Sequence, residues 1–227
     1  MYSFTGGSDG GSPWGGVILS SNTLYGATYA GGSSAFGAVF AVNTNGMGFR
    51  LLHTFTALGI PSNANYDGAA PNAGLVLSGS TLWGTAVGGG SFSYGIVFAV
   101  DTDGTGFTTL HDFSGGSDGA LPAGGLILSG NILYGTALNG GTSGSGTVFS
   151  LALPPPQLTI APAGTNVILT WPTNTLGFPA GFGLQSATNL VSPAGWSTVS
   201  PSPSVVNGQY AVTNPIPGTQ KFYRLSQ

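Results

Sequence analysis

Apolar and small polar residues recur in a fixed order along the first two thirds of the chain, and the order is repeated three times. The cleanest copy spans residues 124–151 and reads GGLILSGNILYGTALNGGTSGSGTVFSL. The same pattern spans residues 15–42 and 73–100. Short apolar runs bounded by Gly, Ser and Asn are typical of β-strands joined by tight turns. The pattern therefore predicts a tandem-repeat, all-β protein.

Each copy predicts four short strands. In the third copy the first three are Gly125–Leu128, Ile132–Thr136 and Thr147–Leu151. The fourth is visible in the second copy as Phe107–Phe113, after the turn Asp-Thr-Asp-Gly-Thr-Gly. Consecutive strands with short turns indicate an antiparallel meander. Because Gly125–Leu128 is apolar throughout, we expect this strand to be covered on both faces.

The repeats divide the chain into two domains. Three repeats are expected at about residues 1–50, 51–108 and 109–153, followed by a Pro-rich linker at 154–156. Residues 157–227 then predict a small β-sandwich of the immunoglobulin or fibronectin type III kind. Its six expected strands are Gln157–Ile160, Asn166–Trp171, Phe182–Gln185, Trp196–Val199, Tyr210–Thr213 and Phe222–Leu225, with a hairpin turn at Asn207-Gly208.

The two ends of the repeat region do not match. The chain begins with what reads as a fourth strand, Tyr2–Phe4, whereas the third copy has only three strands. In a circular β-propeller such a first strand completes the last blade, although known propellers have typically 4–8 blades. The blades could belong to a longer ring, to a ring shared by subunits, or to a polymer formed by strand donation. A β-trefoil also has three repeats of four strands, and it remains the alternative fold.

Strand donation defines one set of candidate functional residues. The donor would be Tyr2, Ser3 and Phe4, and the acceptor would be the last strand of the third copy, with Val148, Phe149 and Leu151. Met1 lies inside a repeat and is not followed by a signal-peptide pattern, so we expect further sequence upstream.

Charge is scarce, and this excludes several classes of function. The chain has three basic and six acidic residues, or 4% charged, where globular domains carry about 25%. Nucleic-acid binding needs a basic patch, which is absent. There is no Cys, which rules out disulfides and Cys-ligated metals. No apolar run reaches the ~18 residues of a membrane span.

The candidate chemistry is weak and repetitive. Asp9, Asp67 and Asp118 each precede a Gly and are expected to cap their own turns, with weak Ca²⁺ binding as the alternative to having no cofactor. The sequence GGSDG occurs twice and matches a hydrolase nucleophile pattern, but in a Gly-rich loop it indicates a turn. The aromatic residues of the Leu-aromatic-Gly triplets either pack between blades or form a sugar-binding surface: Tyr25, Trp83 and Tyr134.

The motif GLxLSGxxLYGTxxxGGxxxxGxVF resembles the GloVer tandem repeat of bacterial exported proteins, found in Verrucomicrobia and Planctomycetes. The resemblance covers roughly residues 1–153, and the segments LTW, LQSATNL and FYRLSQ look like the β-sandwich tail that accompanies such repeats. It implies an extracellular or cell-surface location and a structural or adhesive role. No catalytic residue is implied.

These observations favour a non-enzymatic extracellular structural protein that associates with itself. Electrostatic repulsion between copies is small, and Lys does not protect the strand edges. The alternatives are a carbohydrate-binding module with surface polysaccharide as its partner and an accessory part of a larger exported enzyme.

Overall fold

The computed structural model describes residues 1–57, 65–153, 157–172, 182–191, 195–206, 209–215 and 220–226. These residues contain nineteen β-strands and no helix. The chain divides into two compact units, Met1–Leu153 and Pro154–Gln227. The expected linker at 154–156 and the expected turn at 207–208 lie outside the described residues.

The first repeat forms one antiparallel sheet, which we call blade 1. Its strands follow the chain order β1-β2-β3-β4. Each turn is short enough for a meander, as the sequence predicts. The strands are β1 (Ile18–Ser20), β2 (Thr23–Thr28), β3 (Ala38–Asn43) and β4 (Arg50–Thr54).

The second and third repeats form blades 2 and 3. Blade 2 contains β5 (Asn65–Pro71), β6 (Val76–Ser78), β7 (Thr81–Gly90), β8 (Ile96–Asp101) and β9 (Thr108–Asp112). Blade 3 contains β10 (Ile127–Ser129), β11 (Ile132–Ala137) and β12 (Thr147–Ala152). Each repeat therefore has a sheet of its own, and the described strands form no closed barrel, which favours blades over a trefoil.

One cross-strand contact explains why the Leu-aromatic-Gly and Val-Phe motifs occur together. The Gly of the first motif pairs with the Phe of the second in every blade: Gly26 with Phe40, Gly84 with Phe98, and Gly135 with Phe149. The Phe ring lies over the Gly, where a Cβ would collide with the ring. Glycine is required because the aromatic ring occupies the side-chain position.

Blades 1 and 2 pack face to face. We call the side of each sheet that carries the triplet aromatic its front and the side that carries the Phe its back. A buried cluster joins the front of blade 1 with the back of blade 2. Blade 1 contributes Tyr25, Val39 and Ala41 to it, and blade 2 contributes Leu75, Leu82 and Phe98. The backbone also connects neighbouring blades, because Ala70 N donates to Phe36 O and Leu121 N donates to Tyr94 O, both at 2.8 Å.

The C-terminal unit contains two antiparallel sheets around its own core. One sheet has the order β13-β14-β18-β17 and the other β16-β15-β19. Leu169, Trp171 and Val212 of the first sheet pack against Leu184 and Val199. All six predicted strands occur, and β17 is an additional one. The strands are β13 (Thr159–Ala163), β14 (Asn166–Pro172), β15 (Gly183–Ala187), β16 (Ser197–Thr198), β17 (Ser204–Val206), β18 (Gln209–Pro215) and β19 (Phe222–Ser226).

Replacing Gly84 by Ala tests the ring-over-glycine contact. The new Cβ would lie 2.5 Å from Phe98 Cζ and 2.8 Å from Leu75 Cδ2, and both of these side chains are buried. We expect Gly84→Ala to lower the free energy of unfolding by about 1–3 kcal/mol, measured by urea titration. Gly88→Ala in the same strand is the control, because its nearest neighbours lie at 3.6 Å. Equal effects of the two substitutions would contradict this account.

Candidate functional site

Blade 3 ends in a strand that has one free edge. Strand β12 pairs with β11, and no other described strand pairs with it. Strands β3 and β8, at the equivalent position, pair on both sides. An unpaired strand edge presents N–H and C=O groups that can accept a further strand.

The front of blade 3 is exposed as well. Val148 is 81% exposed, whereas its equivalents Val39 and Val97 are fully buried under the next blade. The prediction that the first strand of this copy is covered on both faces is wrong, because Ile127 is also exposed. Burial alternates strictly along β12, with Phe149 and Leu151 half-buried on the back. Sequence reasoning missed this exposed face; the signal that could have indicated it is Ser150, which is polar where the other two repeats have Ala41 and Ala99.

The segment Tyr2–Phe4 lies on blade 1 and not beside β12. It forms no strand in the described structure, so the expectation of a fourth strand there is wrong within this chain. The physical reason is that no third strand lies next to it to provide hydrogen bonds. Side chains hold it instead, since Tyr2 stacks on Phe49 with ring centroids 4.1 Å apart.

Phe4 nevertheless occupies the position of the end of a fourth strand. Its ring meets Phe40 edge-on, at 5.0 Å and 70°. The fourth strands of blades 1 and 2 end in the same contact with the next blade: Phe55 meets Phe98 at 5.4 Å and 72°, and Phe113 meets Phe149 at 5.1 Å and 69°. The three predicted donor residues therefore take the place, on blade 1, that a preceding blade would fill.

Each repeat also contains a carboxylate that organises a loop. In the second repeat, Asp67 Oδ2 accepts from His53 Nε2 at 3.2 Å and from Thr56 N at 2.9 Å, while Oδ1 accepts from Thr56 Oγ1 at 2.6 Å. The first and third repeats reproduce these bonds in the groups Tyr2–Thr5–Asp9 and His111–Ser114–Asp118. Because Tyr replaces His in one copy, the shared property is hydrogen-bond donation to the carboxylate.

These bonds keep the aspartates ionised. Burial raises the pKa of the Asp67 carboxyl, but the hydrogen bonds from His53 and Thr56 outweigh it, and the pKa lies below its usual value. For Asp118 burial likewise acts upward on the pKa, and the bonds from Ser114 and His111 bring it below the usual value. The Thr5 bonds lower the pKa of Asp9.

The carboxylates of these loops are engaged in hydrogen bonds within the protein. Both oxygens of Asp118 accept bonds from the protein, and the first GGSDG sequence is a turn in which Gly6 N donates to Gly10 O. Among the described residues, no group of three or more His, Cys, Asp or Glu could hold a metal ion. Each loop connects a fourth strand, or residues 2–4 in the first repeat, to the following blade, and the hydrogen bonds of the Asp hold the loop in shape.

The predicted aromatic surface is not formed by all three of its residues. Tyr25 is 7% exposed and Trp83 is fully buried, because the next blade covers the front of blades 1 and 2. Tyr134 is 40% exposed on the uncovered front of blade 3. A different aromatic pair is accessible: Trp14, 64% exposed, stacks on Tyr29 with centroids 4.2 Å apart.

Successive sheets of one repeated sequence, packed front to back, define the N-terminal unit as an all-β tandem-repeat domain. A family model described as the Gloeobacter/Verrucomicrobia repeat matches residues 1–161. The chain belongs to this family, which confirms the resemblance of its repeated motif. A search of curated proteins finds no significant match. Within the described residues, no helix has the length and apolar character needed to cross a membrane.

Acid unfolding tests the carboxylate loops. A folded-state pKa below the unfolded value of about 3.9 adds stability above that pH, and this stability is lost as the pH falls through the folded pKa. We expect a plateau in the free energy of unfolding above about pH 4, followed by a decline. Asp118→Asn should flatten the decline in urea titrations from pH 3 to 7.

The C-terminal unit contains no Asp or Glu, so acid sensitivity from carboxylate side chains arises in the repeats. A curve for Asp118→Asn that runs parallel to that of the unsubstituted protein would contradict the prediction.

Proposed function

We propose that this protein is a non-enzymatic structural component of the cell surface or extracellular space, and that it associates with copies of itself through blade 3. The observation that carries the proposal is the open edge and exposed front of β12. Val148 is 81% exposed at a position where the other two repeats bury the same residue completely. A repeat that exposes this surface is suited to bind a further element of the same kind.

The polar chemistry supports a structural role. The His, Ser, Thr and Asp side chains of the three loops bind one another in the same pattern, and Tyr2 replaces His in the first repeat. A catalytic base would not tolerate that exchange, whereas a hydrogen-bond donor does. Membership in a bacterial repeat family and the low charge support the surface location.

The internal repeats indicate a register for strand donation. Val39 pairs with His53, and Val97 pairs with His111. Tyr2 corresponds to these two His residues, so in a donated strand Tyr2 would lie opposite Val148 and Ser3 opposite Thr147. Addition of a strand to an open sheet edge provides main-chain hydrogen bonds without large side-chain rearrangement.

Replacing Val148 by Lys tests the association. A charged side chain at the centre of the open face should oppose a second copy, and we expect the dissociation constant from sedimentation velocity to rise by about tenfold or more. Val191→Lys is the control, because Val191 is 76% exposed but lies in the C-terminal unit. A monomer at all concentrations, or equal weakening by both variants, would contradict the proposal.

A second candidate function is binding of surface polysaccharide. The exposed Trp14 ring, stacked on Tyr29, offers a flat apolar face of the type that packs on sugar rings. This pair is found in the first repeat; in the second, Asn72 and Val87 take its place.

A glycan array tests this candidate. We expect binding that is reduced at least about fivefold by Trp14→Ala, since loss of an aromatic anchor at a binding surface costs about 1 kcal/mol or more. Tyr66→Ala, which removes another exposed aromatic ring, is the control. The absence of any bound glycan would remove the candidate.

A further inference from the structure

We infer that copies of this protein join head to tail, with the front of blade 3 of one copy packed on the back of blade 1 of the next. The contact would reproduce the one that already joins blade 1 to blade 2 and blade 2 to blade 3. This inference rests on the proposed self-association and identifies its partner surface and its polarity.

The two faces that remain exposed in the repeat unit are complementary. On the front of blade 3, Ile127, Tyr134 and Val148 are exposed. On the back of blade 1, Val17 is 55% exposed, whereas its equivalents Leu75 and Leu126 are each 7% exposed. Within the described structure, no blade packs on the front of blade 3 and none packs on the back of blade 1, and these two faces lie on opposite sides of the three stacked blades. Joining the two would remove both sets of apolar side chains from water.

The backbone at both ends is also prepared for the contact. Ala70 and Leu121 donate their N–H groups to the preceding blade while holding positive φ angles of 56° and 55°. Ser12 occupies the equivalent position in blade 1 and has the same conformation, with φ 54°. The acceptors Phe36 and Tyr94 correspond to Ser145 in blade 3. Both Ser12 and Ser145 are exposed, so a bond from Ser12 N to Ser145 O can form between copies.

The same arrangement explains how the edge of β12 would be completed. Phe4 already packs on Phe40 in the geometry of a fourth-strand end. When blade 1 of the next copy docks, residues 2–4 arrive beside β12 without leaving their own blade. Strand donation then needs no exchange of segments between subunits, and the interface forms between two rigid surfaces.

The interface is expected to be weaker than the internal ones. On the front of blade 3, Ser150 stands where blades 1 and 2 bury Ala41 and Ala99. Burial of hydroxyl groups in place of methyl groups reduces the apolar gain. The contact joins different surfaces of the two copies, so further copies can add in the same way. The assembly is a ring if the rotation between successive copies brings the last copy back to the first, and a filament if it does not.

Cysteine cross-linking of the full chain tests the geometry, since the natural sequence has no Cys. Ser12→Cys protein is mixed with Ser145→Cys protein that carries a mass tag, and disulfides are formed under mild oxidation. We expect a cross-linked heterodimer in excess of the control by on the order of tenfold, because the docked thiols have a high effective concentration. The control replaces Ser145→Cys by Ser80→Cys, an exposed serine in blade 2.

The outcomes separate this inference from the proposed function. A heterodimer yield equal to that of the Ser80→Cys control overturns the head-to-tail geometry, whether or not the protein associates. Concentration-dependent association in sedimentation together with that result would leave self-association intact with a different interface. Suppression of the Ser12–Ser145 cross-link by the additional change Val148→Lys would support both.

Discussion

The contact on which the repeat domain depends is a phenylalanine ring lying across a glycine of the neighbouring strand. It fixes the register of the two central strands of each blade and places an aromatic ring on the back of the sheet. That ring then contacts a second Phe, which follows a fourth strand in blades 2 and 3 and is Phe4 in blade 1, at nearly the same distance and angle in all three repeats. One contact therefore organises both the sheet and the stacking of one sheet on the next, because the same Phe ring packs on the Gly within its sheet and on a second Phe beside it.

Each blade needs a neighbouring blade on either side to bury both of its faces. Blade 2 covers the front of blade 1, and blade 3 covers the front of blade 2. The first five residues of both β3 and β8 are accordingly buried. In the described structure the front of blade 3 and part of the back of blade 1 are exposed. The proposed self-association would cover both faces, with the internal interfaces between blades as its template.

The few charged groups contribute to order in the loops. Asp9, Asp67 and Asp118 each bind three donors at the junction between one blade and the next. Their lowered pKa values follow from these bonds, which favour the ionised form. The recurrence of Asp-Gly is visible in the sequence but this arrangement is not, because the His and Tyr donors lie seven or more residues away and only the folded backbone brings them close.

The sequence by itself determined the all-β class, the repeats and most of their strands, because period, turn residues and the absence of helix-forming charges are local properties. It did not predict β5, which makes blade 2 five-stranded instead of four-stranded. It did not determine which faces are buried. Tyr25, Trp83 and Tyr134 are equivalent in the sequence, yet two are buried and one is exposed, since burial depends on whether another blade follows. It also did not determine the position of Tyr2–Phe4, whose strand-like sequence lacks a neighbouring strand in this chain. Only the tertiary structure decided these points, because they depend on what lies next to a residue in space.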